Sequence, residues 1–465
     1  MGESLSKARF AALEAVKQIR ENNAFARDVL DQTLQHHVLS PQDKAFATKL
    51  ALGSTQTRCT LNNMIYKCVD SPGDIQENVM DALRISTYEI VYLEKEAHAA
   101  VDQGVELVKT VEPRAKGLAN LVLRRVVKLA KDFPFGNPDE NFDAFCRVYS
   151  VPKWMGEMVV EDLGDLYGKN LIASCNGQPP TYIFVNTLKT SLQEMNDLLY
   201  ENGAKPYIIK GINGIATNNC IKVENAQALR DANIAQAYDE GKFIICDVAS
   251  QAIAASTLLT PENPNNILEF CCGKGNKTIM LQVLAQQKWG RQLDMFSLDN
   301  VGFKTDILKK RIEKTNVNVT AILDTDATNF EQLSQTIDNE FNGFAPKFDV
   351  VFVDAPCSGL GTLRRHPELK WRISPEVIDQ LADTGLKILR NASKYVNKGG
   401  HLTYATCTVT KKENEDLCIK FLESEEGKNF KLLQFEYNGE AHPCYSTQTL
   451  GGLNDAHFSA TFQKK

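Results

Sequence analysis

The stretch NILEFCCGKGNKTIMLQVLAQQ, residues 266–287, decides the fold of the largest part of the chain. The run NILEFCC is short and apolar, which is typical of a buried β-strand. Gly273 and Gly275 favour a tight turn, and TIMLQVLAQQ is long enough for a helix. A strand that passes through a glycine turn into a helix is the repeating unit of a parallel sheet.

The same alternation continues along the chain after Asp247. The predicted elements are, in order, QAIAASTLL (helix), NILEFCC (strand), TIMLQVLAQQ (helix), LDMFSLD (strand), ILKKRIEKT (helix), VTAILD (strand), FDVVFVDAP (strand), VIDQLADTGLKILRNASKYV (helix) and GGHLTYATCT (strand). We therefore predict an α/β domain with a mostly parallel sheet that helices cover on both faces.

The pattern before this domain is helical. In LSKARFAALEAVKQIR, the residues Phe10, Leu13, Val16 and Ile19 recur every three positions and suggest one apolar stripe. DIQENVMDALRISTYEIVYLE, AAVDQGVELVKTV and GLANLVLRRVVKLAKDF predict further amphipathic helices. The sequence from Ser6 to about Lys131 therefore predicts an all-α domain.

Two boundaries divide the chain, which at 465 residues is too long for one ordinary core. The proline- and asparagine-rich stretch FPFGNPDENFD ends the helical part. After it, TYIFVNTLKTSLQEMNDLLYENGAKPYIIK predicts strand, helix and strand in a small α+β unit. We predict a helical domain over 1–135, a connecting α+β region over 136–240 and the α/β domain over 241–465.

The bulk composition is that of an ordinary globular protein. The formal net charge of −6 argues weakly against a general nucleic-acid binder, so any such surface must be local. The N-terminus lacks a signal-peptide pattern and no apolar run reaches membrane-spanning length, which predicts a cytoplasmic protein with no membrane contact. The twelve scattered cysteines are then expected to be free thiols. We expect no metal site, and nothing in the sequence demands a partner chain, so a monomer is expected.

Candidate functional residues lie where the predicted strands end, because parallel sheets bind ligands at the carboxyl ends of their strands. The glycine turn CCGKGNKT suits a ligand, although a tight turn needs glycine in any case. Asp299 closes the next strand and suits a ribose, or else caps the helix that follows it. Asp324 or Asp326 suits an adenine amino group, and an ordinary loop carboxylate is an equal alternative.

Two cysteines stand out from the rest. Cys357 follows the strand that ends on Asp354, and Cys407 ends a neighbouring strand, so all three are expected to converge on one cleft. Carbon 5 of cytosine is a poor nucleophile until a thiolate adds to carbon 6, and this covalent step divides one hard reaction into two easier ones. A second thiol can then assist loss of the carbon 5 proton, while an acid near the ring stabilises charge.

These residues form a recognisable pattern. DAPCSGLGTLRRHPELKW (354–371) and YATCTVTKKENE (404–415) resemble the RsmB branch of the RNA 5-methylcytosine methyltransferases. DKAFATKLALGSTQTRCTLNNMI, LRISTYEIVYLE and LVLRRV resemble the NusB-like RNA-binding domain of this branch, so the resemblance covers nearly the whole chain. It implies a Rossmann-like methyltransferase domain that uses S-adenosylmethionine.

The resemblance also implies a role for each candidate residue. Cys407 is the nucleophile, Cys357 assists product release, and Asp354 contacts the cytosine ring nitrogen or the amino end of the cofactor. Asp299 holds the ribose and Asp326 the adenine. The methionine part of the cofactor lies against Cys271, Cys272, Gly273, Lys274, Gly275, Asn276 and Lys277.

The implied substrate is a cytosine of 16S ribosomal RNA, and the basic loop beside the thiols is expected to contact it through Arg364, Arg365, His366 and Lys370. Two alternatives remain open. Related enzymes with the same core act on transfer RNA. The cofactor loop also departs from the family pattern, with Glu269 for the usual aspartate and Lys274 for a proline, so a non-catalytic RNA-binding protein is possible. Trp371 stacks on a base or, as we favour, covers the core.

Overall fold

The structure is a computed structural model that describes residues 5–22, 25–341, 343, 346–437 and 439–465. The chain divides into two compact units. The first unit contains the chain up to Gln178 and also the later segment Leu363–Ile373, whereas the second contains Pro179–Thr362 and Ser374–Lys465. The predicted connecting region 136–240 is therefore shared between the two units.

The α-helices are, in chain order, α1 (Lys7–Glu21), α2 (Ala26–Gln35), α3 (Pro41–Gln56), α4 (Arg58–Tyr66), α5 (Glu77–Tyr92), α6 (Ala97–Val111), α7 (Lys116–Leu129), α8 (Phe142–Tyr149), α9 (Lys153–Leu163), α10 (Asp165–Ser174), α11 (Leu192–Glu201), α12 (Ala232–Asp239), α13 (Val248–Thr257), α14 (Asn276–Trp289), α15 (Gly302–Thr315), α16 (Phe330–Glu340), α17 (Leu369–Arg372), α18 (Pro375–Ser393) and α19 (Glu415–Glu423). In the described parts of the chain, no helix combines the length and apolar character that crossing a membrane requires.

The strands are β1 (Thr181–Val185), β2 (Pro206–Ile212), β3 (Ile215–Val223), β4 (Phe243–Ile245), β5 (Asn266–Phe270), β6 (Asp294–Asp299), β7 (Ala321–Asp324), β8 (Phe348–Asp354), β9 (Val396–Thr406), β10 (Phe430–Leu432), β11 (Phe435–Tyr437), β12 (Glu440–His442), β13 (Tyr445–Ser446) and β14 (Phe458–Lys464). All of them belong to the second unit, which confirms the predicted separation of an all-α part from an α/β part.

Helix α1 buries a different face from the one that its sequence suggested. Leu13, Val16 and Ile19 are buried, as expected, but 44% of the Phe10 side chain is exposed. A helix turns about 100° per residue, so residues nine positions apart lie on nearly opposite faces. Alanines at positions 8, 11, 12 and 15 complete the buried face instead. The stripe at three-residue spacing was therefore wrong at its first residue.

The second unit contains two main sheets. The smaller sheet has the strand order β2-β3-β1-β4 and is antiparallel throughout. The larger has the order β10-β14-β9-β8-β5-β6-β7, with β13 paired to β14. Strands β5 to β9 are parallel to one another, whereas β14 runs antiparallel to β9 and β10. The predicted mostly parallel sheet is confirmed.

Alternate residues of the central strands pack into two separate hydrophobic cores. Leu268 and Phe270 of β5 pack in one cluster with Ile388 of α18, whereas Ile267 packs in another with Ile279 of α14. Successive side chains of a strand point to opposite faces, so helices cover both faces of the sheet. Because helices cover both faces of β5, apolar residues are needed on both faces, and the sequence of the strand is a nearly continuous apolar run.

Several elements went unpredicted. Helix α16 is one of them. In the sequence it connects β7 to β8, two parallel strands of the larger sheet. Consecutive parallel strands need a crossover of a dozen or more residues, so the unassigned stretch between VTAILD and FDVVFVDAP was itself evidence for a helix. The short strands after α19 and the strands β3 and β4 also carried no clear sequence pattern.

Candidate active site

The parallel strands end along one edge of the larger sheet. Asp299 is the last residue of β6 and pairs in register with Asp324, the last residue of β7. On the other side of β5, Asp354 ends β8 and pairs with Ala405, near the end of β9. The candidate side chains therefore leave neighbouring strands at the same edge.

The two cysteines that the sequence singled out meet in the structure. Cys357 Sγ lies 3.4 Å from Cys407 Sγ, and the Cys407 backbone N–H also donates to Cys357 Sγ at 3.4 Å. Both residues are partly exposed. Two thiols at contact distance, open to a ligand, can act in succession on neighbouring atoms of one bound molecule.

The contact with Cys407 changes the pKa of Cys357. The hydrogen bond to Cys407 is the largest cause of a raised pKa for Cys357, and burial and the charges of Cys407 and Glu413 act in the same direction. Cys357 therefore holds its proton more strongly than an ordinary thiol does.

A buried ion pair lies beside the thiols. Lys277 Nζ is 2.6 Å from Asp354 Oδ2, and the lysine is 9% exposed. Burial alone lowers the pKa of Lys277, but attraction and hydrogen bonding to Asp354, with a further contribution from Cys407, raise it overall. Lys277 therefore stays charged and orients the carboxylate. Lys277 bonds only Oδ2 of Asp354. Among the described residues, none forms a hydrogen bond with Oδ1, so this oxygen can accept from a ligand donor.

The glycine turn between β5 and α14 has an unusual backbone. Cys271, a non-glycine residue, has a φ of 58° in the left-handed region. Gly273 has a φ of 56°, and a Cβ there would meet no atom within 4 Å. Strained backbone of this kind is found at ligand sites, where the surrounding structure maintains it. The open space at Gly273 suits a bound group.

Gly275 has a structural role in addition to its predicted ligand contact. Its φ is 82°, and a Cβ there would lie 2.2 Å from Leu308 Cδ1 of α15. The absence of a side chain lets the start of α14 pack against α15. Gly275 thus allows the loop to pack closely against α15, and its proposed contact with a cofactor remains a prediction.

Asp299 supports the same turn. It is 5% exposed, and its two oxygens accept hydrogen bonds from the backbone N–H groups of Gly273 at 2.9 Å and Val301 at 3.0 Å. Each carboxylate oxygen has a second acceptor site. Asp299 can therefore hold the loop and accept a ligand hydroxyl at once.

The two aspartates after β7 differ in their surroundings. Asp324 Oδ1 accepts from Thr305 Oγ1 at 2.7 Å, so this side chain is tied to α15. Asp326 Oδ1 accepts from the N–H and the hydroxyl of Thr328, both at 2.8 Å. The second oxygen of the partly exposed Asp326 has no hydrogen bond to a described residue, and this favours Asp326 as the ligand contact.

Glu269 lies in the interior behind the loop. It is 0% exposed, and its Oε2 accepts hydrogen bonds from Thr278 Oγ1 at 2.6 Å and Ser297 Oγ at 2.8 Å. Among the described residues, its Oε1 finds no partner. Burial raises the pKa of Glu269 to about 7. The glutamate joins the first turn of α14 to β6 as an internal brace.

The remaining predicted loop residues divide between core and surface. Cys272 is buried, whereas Lys274 and Asn276 are exposed. Burial raises the pKa of both Cys271 and Cys272, so neither thiol is expected to be reactive. The Lys274 carbonyl accepts from the Arg311 guanidinium at 2.6 Å. Arg311 was not predicted, and the basic helix pattern ILKKRIEKT gave no reason to select it.

The basic segment after Cys357 packs mainly within the first unit. Lys370 is 1% exposed and its ammonium donates to Asn176 Oδ1 at 2.9 Å, so it is not available on the surface for RNA. Glu368 is buried and accepts from the N–H of Ala26 at the start of α2. A run of cations in a sequence cannot distinguish a buried lysine from a surface one.

The other basic residues of the segment are partly exposed. Arg364, Arg365 and His366 each keep some accessible surface. The His366 ring lies 4.3 Å from that of Phe25, and Trp371 packs with the α1–α2 core while its ring contacts the Arg58 guanidinium at 4.1 Å. The core position favoured for Trp371 agrees with this packing.

Comparison with known proteins relates these features to two families. Residues 256–462 match the model described as 16S rRNA methyltransferase RsmB/F, and residues 6–128 match the NusB family. The C-terminal part of the chain is therefore similar to the RsmB/F methyltransferases, and its N-terminal part is similar to the NusB family. The part similar to the RsmB/F methyltransferases contains the strand ends and both thiols, and the part similar to NusB contains α1 to α7 of the first unit.

Relatives extend the match across most of the chain. The ribosomal RNA small subunit methyltransferase B of Proteus mirabilis is 27% identical over 98% of this chain and 98% of its own length. The "Probable ribosomal RNA small subunit methyltransferase B" of Bacillus subtilis is 27% identical over 90% of this chain and 88% of its own. The crystal structure of PH0851 has the same fold, with a TM-score of 0.76, 20% identity and full coverage of both chains.

One buried residue of the C-terminal part was not among the predicted site residues. Glu413 lies behind both cysteine loops and accepts hydrogen bonds from each. It lies in the stretch KKENE after the strand of Cys407, and a stretch of mixed charge such as this is more often a solvated helix start. Only the folded chain reveals that this carboxylate is internal.

Proposed function

We propose that this protein transfers a methyl group from S-adenosylmethionine to carbon 5 of a cytosine in 16S ribosomal RNA. The observation that carries the proposal is the pair of thiols, Cys357 and Cys407, with their sulfurs 3.4 Å apart at the ends of neighbouring parallel strands. A buried structural cysteine needs neither a second thiol nor exposure to solvent. Two partly open thiols suit a reaction in which one adds and the other assists departure.

The loop between β5 and α14 fits S-adenosylmethionine. Gly273 leaves room where a side chain would otherwise project, Asp299 suits the ribose hydroxyls, and the unused oxygen of Asp326 suits the adenine amino group. Asp354 Oδ1 suits an N–H donor, either from the amino end of the cofactor or from cytosine. When bound, the cofactor supplies an electrophilic methyl group.

Cys407 acts first. Its thiolate adds to carbon 6 of the cytosine, and the electrons of the carbon 5–carbon 6 double bond then make carbon 5 nucleophilic. The hydrogen bond from Cys357 stabilises the thiolate before attack. Lys277 holds the Asp354 carboxylate in place through their 2.6 Å ion pair, and its positive charge lies near Cys407.

Cys357 acts after methyl transfer. Once Cys407 has become a thioether, its charge and its hydrogen bond to Cys357 are lost, and with them the largest cause of the raised pKa of Cys357. Cys357 can then release its proton to solvent and take the proton from carbon 5. The carbon–hydrogen electrons restore the double bond, the carbon 6–sulfur bond breaks, and Cys407 leaves as a thiolate.

The substrate class rests on the relatives, which are named for ribosomal RNA, and on the part similar to NusB. Arg364, Arg365 and His366 keep accessible surface and remain candidates for RNA contact. Lys370 is left out because its ammonium is buried. Transfer RNA is the competing substrate and serves as the comparison in the test.

The experiment combines the two cysteine variants with labelled cofactor. Cys407→Ala is expected to abolish methylation of 16S ribosomal RNA. Cys357→Ala is expected to leave RNA covalently bound to the protein, as a species that survives denaturing electrophoresis. Normal turnover by Cys357→Ala would contradict the division of roles between the two cysteines. Methylation of transfer RNA alone would show that the substrate is transfer RNA and not ribosomal RNA.

Cofactor binding is measured separately by calorimetry with S-adenosylmethionine. Saturable binding that Asp299→Ala removes would support the assignment of the loop. An absence of binding even when RNA is present would favour an RNA-binding protein without catalysis.

A further inference from the structure

A fully buried carboxylate connects the two loops that carry the cysteines. Glu413 is 1% exposed, and the residues that follow the two thiols, Ser358 and Thr408, are 0% and 1% exposed. A buried carboxylate is costly unless several donors satisfy it. Its presence here requires an explanation beyond space filling.

The donors come from both cysteine loops. Glu413 Oε1 accepts from the Ser358 backbone N–H at 2.7 Å, and Oε2 accepts from the Ser358 hydroxyl at 2.6 Å. From the other loop, Oε2 accepts from the hydroxyls of Thr410 at 2.7 Å and Thr408 at 3.3 Å. The Ser358 and Thr408 hydroxyls also contact each other at 2.6 Å. One carboxylate thus holds both loops.

The neighbouring residue strengthens the loop of Cys407. Asn414 accepts from the Thr406 hydroxyl at 2.6 Å and donates to the Thr408 carbonyl at 3.1 Å, so it spans Cys407 on both sides. Across the loops, the Gly361 N–H donates to the Cys407 carbonyl at 3.0 Å. The backbone at both thiols is therefore fixed from the interior, away from the open side where a ligand would bind.

We propose that Glu413 is a positioning residue that sets the separation of the Cys357 and Cys407 sulfurs and thereby governs release of the methylated product. This inference rests on the proposed function, in which the two thiols act in succession on one cytosine. In the addition step, Cys407 is the only one of the two thiols that reacts with the cytosine. Release needs Cys357 close to carbon 5 while Cys407 is still bound to carbon 6, so release is the step that depends on their spacing.

Two substitutions separate the spacing from general stability. Glu413→Ala removes the acceptor for both loops, and a displacement of about 1 Å at a reacting group costs about 100-fold in rate. We therefore expect release to slow about 100-fold while adduct formation falls much less. Glu413→Gln keeps an oxygen for the Ser358 N–H and an amide to which the hydroxyls can turn, so it restores most of the release rate.

The spacing itself is measured without RNA or cofactor. Phenylarsine oxide bridges two thiols only when they are close: two arsenic–sulfur bonds form, and the oxygen leaves as water with the two thiol protons. Wild-type protein is expected to give a bridged peptide pair containing Cys357 and Cys407. Glu413→Ala is expected to bridge at least about tenfold more slowly, while each thiol still reacts with iodoacetamide.

Glu415→Ala is the matched control, since this exposed carboxylate lies two positions away at the start of α19. It is expected to bridge and to release product like the wild type. Circular dichroism establishes that each variant is folded. If Glu413→Ala does not fold, Ser358→Ala takes its place, because it removes one hydroxyl donor and keeps the backbone N–H.

The outcomes are distinguishable. Unchanged bridging and unchanged release in a folded Glu413→Ala or Ser358→Ala protein would overturn the positioning role. Slow bridging with normal release would overturn the link between spacing and release. If the wild type methylates no RNA and Cys357→Ala forms no RNA adduct, while Glu413→Ala still bridges slowly, the proposed function fails and the effect of Glu413 on the spacing stands.

Discussion

Replacing Glu269 by glutamine removes a buried acid whose ionisation the fold disfavours. Burial raises its pKa from an ordinary value of 4.5 to about 7. Between these values the unfolded chain has lost the proton and the folded chain still holds it, so stability falls as the pH rises. Each pH unit in this window costs about 1.4 kcal/mol, which amounts to about 3 kcal/mol in all.

Glutamine stays neutral at every pH, and its amide oxygen can still accept from the Thr278 and Ser297 hydroxyls. Below the ordinary glutamate pKa of 4.5, we expect the free energy of unfolding to depend on pH in nearly the same way in the variant and the wild type. The free energy of unfolding of the variant, relative to the wild type, should then rise with pH and level off at a gain of about 3 kcal/mol near pH 8.

Hydrogen exchange measured by mass spectrometry on peptides from β5 and β6 tests this difference. The two proteins are compared at the same pH, so the intrinsic exchange chemistry cancels. Above pH 7, amides that exchange through unfolding of this region should exchange about 100-fold more slowly in the variant. Glu331→Gln, an exposed site on α16, makes the same change of charge and should show no such trend. A difference that is constant across the pH range would refute the argument from burial.

Three further substitutions test other parts of the structure. Gly275→Ala should destabilise the second unit by about 2–4 kcal/mol, because it combines a left-handed backbone with a clash; thermal melts in a Leu308→Ala background, which has its own cavity cost, should show a smaller loss on adding Gly275→Ala, and no loss in that background would exclude backbone strain. Lys277→Met should weaken S-adenosylmethionine binding about tenfold in calorimetry, because Asp354 loses the ammonium that orients its carboxylate, and unchanged affinity would contradict that role. Lys370→Met should leave the salt dependence of RNA binding unchanged, whereas loss of a phosphate contact would reduce the slope of log K against log salt by about 0.7–0.9.

The fold was predictable where a physical rule connects sequence to position. Parallel strands end at one edge, so an acid and two thiols at the ends of predicted strands had to lie near one another, and the sulfurs of Cys357 and Cys407 are in contact. No sequence rule separates Gly273 from Gly275, although one faces open space and the other a leucine. The burial of Lys370 and Glu413 could not be predicted, for a shared reason. Charged residues are usually exposed, and both of these depend on hydrogen-bond partners that are distant in sequence.

The segment Leu363–Ile373 has a consequence for how this protein can be divided. The chain passes between its two units after Gln178, again after Thr362 and a third time after Ile373. A cut at residue 178 would therefore take from the helical part the carboxylate that receives the N–H of Ala26, the lysine that bonds Asn176 and the indole beneath Arg58. A transplanted helical domain must therefore bring with it eleven residues encoded inside the methyltransferase domain.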